Sequence, residues 1–109
     1  MKLKITEPVL DYQNKPSKII ARDGKETGNL TWRDVIFVAL NSMDPQEQMS
    51  TENKAKSYQI VTKAYQTNEP DFTVEERAYI IERIGKFYSP LVYGRAKEIF
   101  EEKKENKVV

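Results

Sequence analysis

The chain has 109 residues and a net charge of +1, with 39% hydrophobic and 32% charged side chains, and contains neither cysteine nor histidine. These totals suit one small domain with a real core, and they exclude disulfides, thiolate metal sites and the usual general base. The near-zero net charge also argues against a broad positive field of the kind that drives non-specific DNA binding.

The first 30 residues contain most of the turn signals and predict a β-hairpin or small meander. Residues 2–6 alternate polar and apolar side chains, which predicts a half-buried strand with Leu3 and Ile5 facing inward. The Asp-Gly pair at 23–24 predicts a tight turn, because glycine adopts a positive φ at little cost.

A first helix is predicted over residues 31–43. Thr31 is its cap, Asp34 lies where it can bond back to the cap, and an apolar run follows directly. Because this helix is apolar on most sides, we expect it to lie centrally, in contact with several elements. The positions expected to be buried are Val35, Ile36, Ala39 and Leu40.

A second helix is predicted from Ser50 or Thr51 to about Thr67, where an Asn-Glu-Pro sequence stops it. A projection at 100° per residue gives one apolar face and one polar face. The face expected to be buried consists of Ala55, Tyr58, Val61, Thr62 and Tyr65. The face expected to be exposed consists of Lys56, Gln59, Lys63 and Gln66.

The third helix is predicted to start after Thr73, in a capping box with Glu76, and the fourth after Ser89. The predicted buried stripe of the third helix consists of Val74, Ala78, Ile81, Ile84, Gly85 and Tyr88. Arg77 projects into this stripe, where its head is either buried with a carboxylate or extends out of the core. The predicted inward face of the fourth helix consists of Val92, Tyr93, Ala96, Ile99 and Phe100.

Together these elements predict an α+β fold, mostly α, with the N-terminal β-hairpin or meander packed on a cluster of about four helices. We expect a single domain over 1–109, with a β-hairpin region at 1–30, a helical region at 31–105 and a frayed tail at 101–109. The sequence has no apolar run long enough to span a membrane and no secretory leader, which predicts a cytoplasmic protein.

The sequence also lacks the patterns that catalysis requires. It contains no nucleophile–base pair, no glycine-rich phosphate loop and no metal-ligand spacing. The glutamates of the third and fourth helices project onto polar faces, without the burial or crowding that shifts the pKa of a catalytic carboxyl group. We therefore expect a protein that is not an enzyme and that binds no cofactor or metal.

Residues 83–97 contain four cations, three aromatic residues and no acid. This pattern suits phosphate contact with base stacking, or an acidic protein partner. The alternative is a packed corner between two helices, in which Gly85 permits a close approach. The candidate interaction residues are Arg83, Lys86, Tyr93, Arg95 and Lys97, with Tyr79, which projects onto the charged face of the third helix.

The order of these segments resembles a group of phage proteins. The matching stretches are the opening Lys-Leu-Lys-Ile-Thr-Glu-Pro, the helix start Leu-Thr-Trp-Arg-Asp-Val, the helix Tyr-Gln-Ile-Val-Thr-Lys-Ala-Tyr and the ending Pro-Leu-Val-Tyr-Gly-Arg. In this order the chain resembles small uncharacterised proteins of tailed bacteriophages and prophages. The resemblance implies a bacterial cytoplasm and a role in phage assembly, regulation or host takeover.

Three functions stay open. The leading one is a protein–protein interaction protein, an assembly helper or adaptor with a phage or host protein as partner, because tyrosine and tryptophan suit interfaces. The second is a nucleic-acid-binding regulator that uses residues 83–97, which the net charge disfavours. The third is an inhibitor that binds a host enzyme. The oligomeric state stays open in all three.

Overall fold

A computed structural model describes residues 2–20, 23–44 and 46–101. It has an antiparallel hairpin of two strands, β1 (Lys18–Ile20) and β2 (Glu26–Asn29), followed by four helices. The helices are α1 (Trp32–Asn41), α2 (Thr51–Gln66), α3 (Val74–Phe87) and α4 (Pro90–Phe100). The predicted α+β, mostly helical fold is therefore confirmed. The predicted tail falls almost entirely on residues 102–109, which lie outside the described residues.

All four helices begin at the predicted caps. The Thr31 side chain accepts a hydrogen bond from the Asp34 N–H, and the Asp34 carboxylate accepts one from the Thr31 N–H, which completes a capping box. Thr73 and Glu76 form the same box at α3. The caps of the other two helices are Ser50 and Ser89.

We expect Thr73→Ala to destabilise the protein by about 1 kcal/mol, because it removes the side-chain acceptor for the first turn of α3. Thr31→Ala should cost a similar amount or less. Thr51→Ala is the control, since Thr51 is exposed and α2 is capped by Ser50 instead. Denaturant midpoints measure all three, and a Thr73 variant as stable as the control would contradict the capping role.

Residues 2–6 do not form the predicted strand, although both expected inward side chains are confirmed. Ile5 is buried and Leu3 packs against the core. The N–H groups of Leu3 and Ile5 donate to the carbonyls of Pro70 and Asn68, at 3.2 and 3.1 Å. Proline has no N–H with which to return the bond, so the pairing does not extend into a ladder.

The hairpin turns at the predicted Asp-Gly pair, where Gly24 has a φ of +82°. The pairing register shifts between Ile19 and Ile20, and every residue of β2 is exposed. The contribution of this region to the core comes instead from the preceding segment, through Ile5 and Val9.

α1 packs between α2 and α3, and α3 also packs against α4. All four positions of α1 that were expected to be buried are at most 2% exposed. The two remaining apolar residues in the centre of α1 are different, because Phe37 is 46% and Val38 is 42% exposed. The core therefore covers one side of α1 and leaves another apolar side uncovered.

The predicted buried face of α2 is wrong at Ala55, Tyr58 and Tyr65, which are exposed, whereas Val61 is half-buried against the core as expected. The buried residues of this helix are Ser57, Ile60 and Ala64, whereas Tyr58 and Tyr65 are 74% and 55% exposed. Ser57 is tolerated inside because its hydroxyl lies 3.1 Å from that of Tyr79, and a satisfied polar group costs little to bury. Two lysines expected to be exposed, Lys56 and Lys63, are half-buried.

The predicted stripe of α3 is also wrong, apart from Ile84 and the half-buried Ile81 and Tyr88. Val74, Ala78 and Gly85 are exposed. The buried residues are Arg77, Tyr79, Ile80, Arg83 and Ile84. Arg77 is 4% exposed, so its head does not extend into water.

The prediction for α4 holds at three positions, since Val92, Ala96 and Phe100 are buried. Phe100 meets Trp32 of α1 edge to face, with ring centroids 5.5 Å apart. Ile99 is half-buried against the core, and Tyr93 is 37% exposed. This helix therefore closes the core over α3 and the start of α1.

Candidate interaction surface

Arg83, the first residue of the predicted basic segment, lies inside the protein with 4% of its surface exposed. Its Nε donates to the carbonyl of Ala39 at 3.2 Å, and its Nη2 donates to the carbonyl of Ser42. Its Nη1 lies 2.7 Å from a carboxylate oxygen of Glu47. Arg83 thus ties the end of α1 and the segment that follows it to α3.

Lys86 binds the same carboxylate, with its Nζ 2.7 Å from Glu47. The hydrogen bonds from Lys86 and Arg83 lower the pKa of Glu47 from its ordinary value of 4.5 to about 2. Glu47 is thus held ionised between two cations and fixes the α1–α2 connection.

The two remaining cations of the segment also bind groups of this chain. Arg95 donates to the carbonyls of Leu10 and Asp11, at 3.2 and 2.6 Å, and so holds the N-terminal segment against α4. Lys97 lies 3.5 Å from Glu101. These contacts favour the packed-corner interpretation of 83–97 over a phosphate-binding one.

The two tyrosines named from the sequence have different positions. Tyr79, expected on an exposed face, is instead 9% exposed, with its hydroxyl bonded to Ser57. Tyr93 is 37% exposed and its ring packs over Gly85. The close approach at Gly85 thus exists, and its partner is an aromatic ring rather than a helix backbone.

We expect Gly85→Ala to destabilise the protein, because a Cβ there would lie 2.8 Å from the Tyr93 ring. In a Tyr93→Ala background the same change should stabilise by roughly 0.5–1 kcal/mol, the helix-propensity gain of alanine. A double-mutant cycle of denaturant midpoints measures the difference. Stabilisation of equal size in both backgrounds would show that the ring yields without cost.

A surface that the sequence did not single out lies on the other side of α1. An open groove of about 670 Å³ runs between α1 and α2, and two residues of the connection between them, Met43 and Met49, also line it. We call it the α1–α2 groove. The residues that line it are Phe37, Leu40, Asn41, Met43, Met49, Lys54, Tyr58, Val61, Thr62, Tyr65 and Gln66.

Large apolar side chains dominate the α1–α2 groove. Phe37, Met43, Tyr58 and Tyr65 are each between 46% and 74% exposed. The rings of Phe37 and Tyr65 meet edge to face across the groove, with centroids 6.0 Å apart. Apolar side chains gathered on one surface mark a binding site more often than scattered ones do.

The groove has a distinct charge as well. Among the described residues that line the groove, Lys54 is the only charged one, and none of them carries a carboxylate. At the opposite end the Arg33 guanidinium lies 5.5 Å from the centre of the Tyr65 ring. It donates to the carbonyls of Ala64 and Thr67 and to the Asn68 side chain, which are neutral acceptors that do not cancel its charge. The surface is therefore apolar along its length, with a cation near each end.

Two signals in the sequence point to this groove. One is the apolar character of α1 on most sides, and the other is the stripe of α2 that contains Tyr58 and Tyr65. Both patterns predict an apolar face. A hydrophobic period does not state which element covers that face, so the sequence alone favours the core over an open groove.

Searches of protein-family models, curated proteins and solved structures give no match to this chain. Within 2–20, 23–44 and 46–101, no helix has the length and apolar character needed to cross a membrane. In the same part of the chain, no group of three or more acidic side chains is placed to hold a metal ion. The geometry of the surface is thus the basis for a functional assignment.

Proposed function

We propose that this protein is a non-enzymatic interaction protein that binds a protein partner through the α1–α2 groove. The observation that supports the proposal is the exposure of Phe37, Met43, Tyr58 and Tyr65 on one surface. Aromatic residues and methionine are enriched in the centres of interfaces, and methionine adapts its shape to a partner. The segment 83–97, whose cations bind groups of this chain, is assigned to stabilising the fold.

The resemblance to phage proteins supports a partner from a phage or its bacterial host, in the host cytoplasm. An adaptor or assembly helper needs a stable fold with an exposed binding surface, and it needs no catalytic group. The absence of cysteine and histidine from the sequence agrees with that role.

We expect Tyr58→Ala to reduce partner capture at least tenfold, since a hot-spot tyrosine contributes about 2 kcal/mol or more to binding and about 1.4 kcal/mol is a factor of ten. The matched control is Tyr12→Ala, because Tyr12 is 76% exposed and does not line the groove, while Tyr58 is 74% exposed. The measurement is affinity enrichment from phage-infected bacterial lysate, quantified by mass spectrometry for wild type and both variants.

Proteins retained by wild type and the Tyr12 variant but lost with the Tyr58 variant support the proposal. Virion components among them support the assembly role, and a single host enzyme supports the inhibitor alternative. Equal recovery with both variants would contradict the groove as the binding surface.

A further inference from the structure

We infer that the partner presents an amphipathic α-helix with acidic flanks to the α1–α2 groove, an inference that rests on the proposed function. Lys54, Tyr58, Val61 and Tyr65 recur along α2 at helical spacing and form one wall of the groove. At about 1.5 Å per residue, Lys54 and Tyr65 lie roughly 16 Å apart along the axis of α2. This length matches about three turns of a partner helix.

The backbone around the groove favours a helical occupant over an extended one. Both long walls are helices, so their N–H and C=O groups bond within α1 and α2, and the Ser42 N–H closes the end of α1 on the Val38 carbonyl. An extended peptide in this apolar groove would lose water from its backbone without gaining partners. A helix brings its own backbone bonds and offers only side chains, the usual mode for apolar grooves.

The cations near the two ends of the groove favour acidic residues beside the apolar anchors of the partner helix. Lys54 lies near one end of the groove and Arg33 near the other, and no carboxylate lies among the lining residues. Acidic residues beside the apolar anchors would meet both cations, which steers association and excludes basic helices. A second copy seated groove to groove would bring cationic ends together with no carboxylate from either lining, so we commit to a separate acidic partner.

Selection from two peptide display libraries tests this inference. Both contain random peptides of about 16 residues, enough to span the groove and form helical turns beyond it. One library is helix-biased, and the other has a fixed central proline that disfavours a helix. Selected peptides are synthesised, and their affinities for wild type, Tyr58→Ala and Lys54→Glu are measured by fluorescence anisotropy, with far-UV circular dichroism of the bound peptide.

We expect binders from the helix-biased library, with apolar residues at i, i+4 and i+7 and with aspartate or glutamate beside them. Their affinity should fall at least about tenfold with Tyr58→Ala. It should also fall with Lys54→Glu and recover when peptide acids are replaced by lysine. Binders that are basic, or that come only from the proline library and still need Tyr58, would overturn the helix inference and leave the proposed function standing.

Selected peptides whose binding is the same in wild type and Tyr58→Ala would instead contradict the proposed function itself. Sedimentation of the free protein tests whether a second copy of this chain occupies the groove. A concentration-dependent dimer that Tyr58→Ala abolishes would identify a second copy as the occupant and overturn the acidic-helix inference.

Discussion

Arg83→Ala is expected to destabilise the protein by about 3 kcal/mol, because two carbonyl groups at the end of α1 would lose their donors at a cost of roughly 1–3 kcal/mol each. Arg83 is 4% exposed and binds the carbonyls of Ala39 and Ser42 as well as Glu47. These carbonyls lie at the C-terminal end of α1, which has no basic residue of its own in its last turn. Arg83 therefore supplies from α3 the positive charge and the donors that a helix C-terminus needs.

Lys86→Ala is the matched control, because Lys86 binds the same carboxylate with a side chain that is 46% exposed. An ion pair of that exposure is typically worth at most about 1 kcal/mol. Arg83→Lys should recover little, since one ammonium cannot reproduce the planar fork that reaches three acceptors. Chemical denaturation compares the variants, and equal losses for Arg83→Ala and Lys86→Ala would contradict the anchoring role.

The same cluster determines part of the response to acid. Because the folded-state pKa of Glu47 is lowered from 4.5 to about 2, its stabilising contribution is complete above the unfolded value and is lost as the pH falls toward 2. Glu47→Gln should therefore flatten the decline of stability across this range. Denaturant midpoints measured at several acidic pH values test the difference, and parallel curves for wild type and variant would exclude Glu47 as a contributor.

The sequence was sufficient to locate the helices but not to orient them. Caps such as Thr31 and Thr73 are local signals, since the donor and acceptor lie within three residues, and these predictions are confirmed. The orientation of α3 depends on contacts from distant segments. Arg83 is buried because Glu47 and the end of α1, 36 or more positions away in the chain, satisfy its donors.

The other errors in the predicted buried and exposed faces of α2 and α3 involve tyrosine residues. The helical projection assigns Tyr58 and Tyr65 to a buried face and Tyr79 to an exposed one, according to the residues beside them on each helix. A tyrosine is nevertheless stable either inside with a bonded hydroxyl or at a surface. Tyr79 is buried because its hydroxyl bonds with that of Ser57, and Tyr58 is exposed because none of the described elements covers that side of α2. The groove could not be predicted for the same reason, since an uncovered apolar face has the same period as a buried one.

Ile36 and Phe37 are adjacent on α1, and alanine substitutions at the two positions should separate effects on stability from effects on partner binding. Ile36 is 0% exposed, and Ile36→Ala should cost about 2–5 kcal/mol, the usual loss for a large-to-small change in a packed core. Phe37 is 46% exposed and packs on Tyr65, so Phe37→Ala should cost no more than about 1.5 kcal/mol. Partner binding should show the opposite order, with a large loss for Phe37→Ala and little for Ile36→Ala at a temperature where both variants are folded.

Measuring unfolding and partner capture on the same two variants makes the comparison direct. If Phe37→Ala lowers stability as much as Ile36→Ala does, the exposed side of α1 belongs to the core and the groove is not an open surface. If Phe37→Ala leaves partner capture intact, α1 does not contribute to the interface. The predicted crossover requires that one helix bury one apolar side and present the other, which is how the fold would join a stable core to a binding surface.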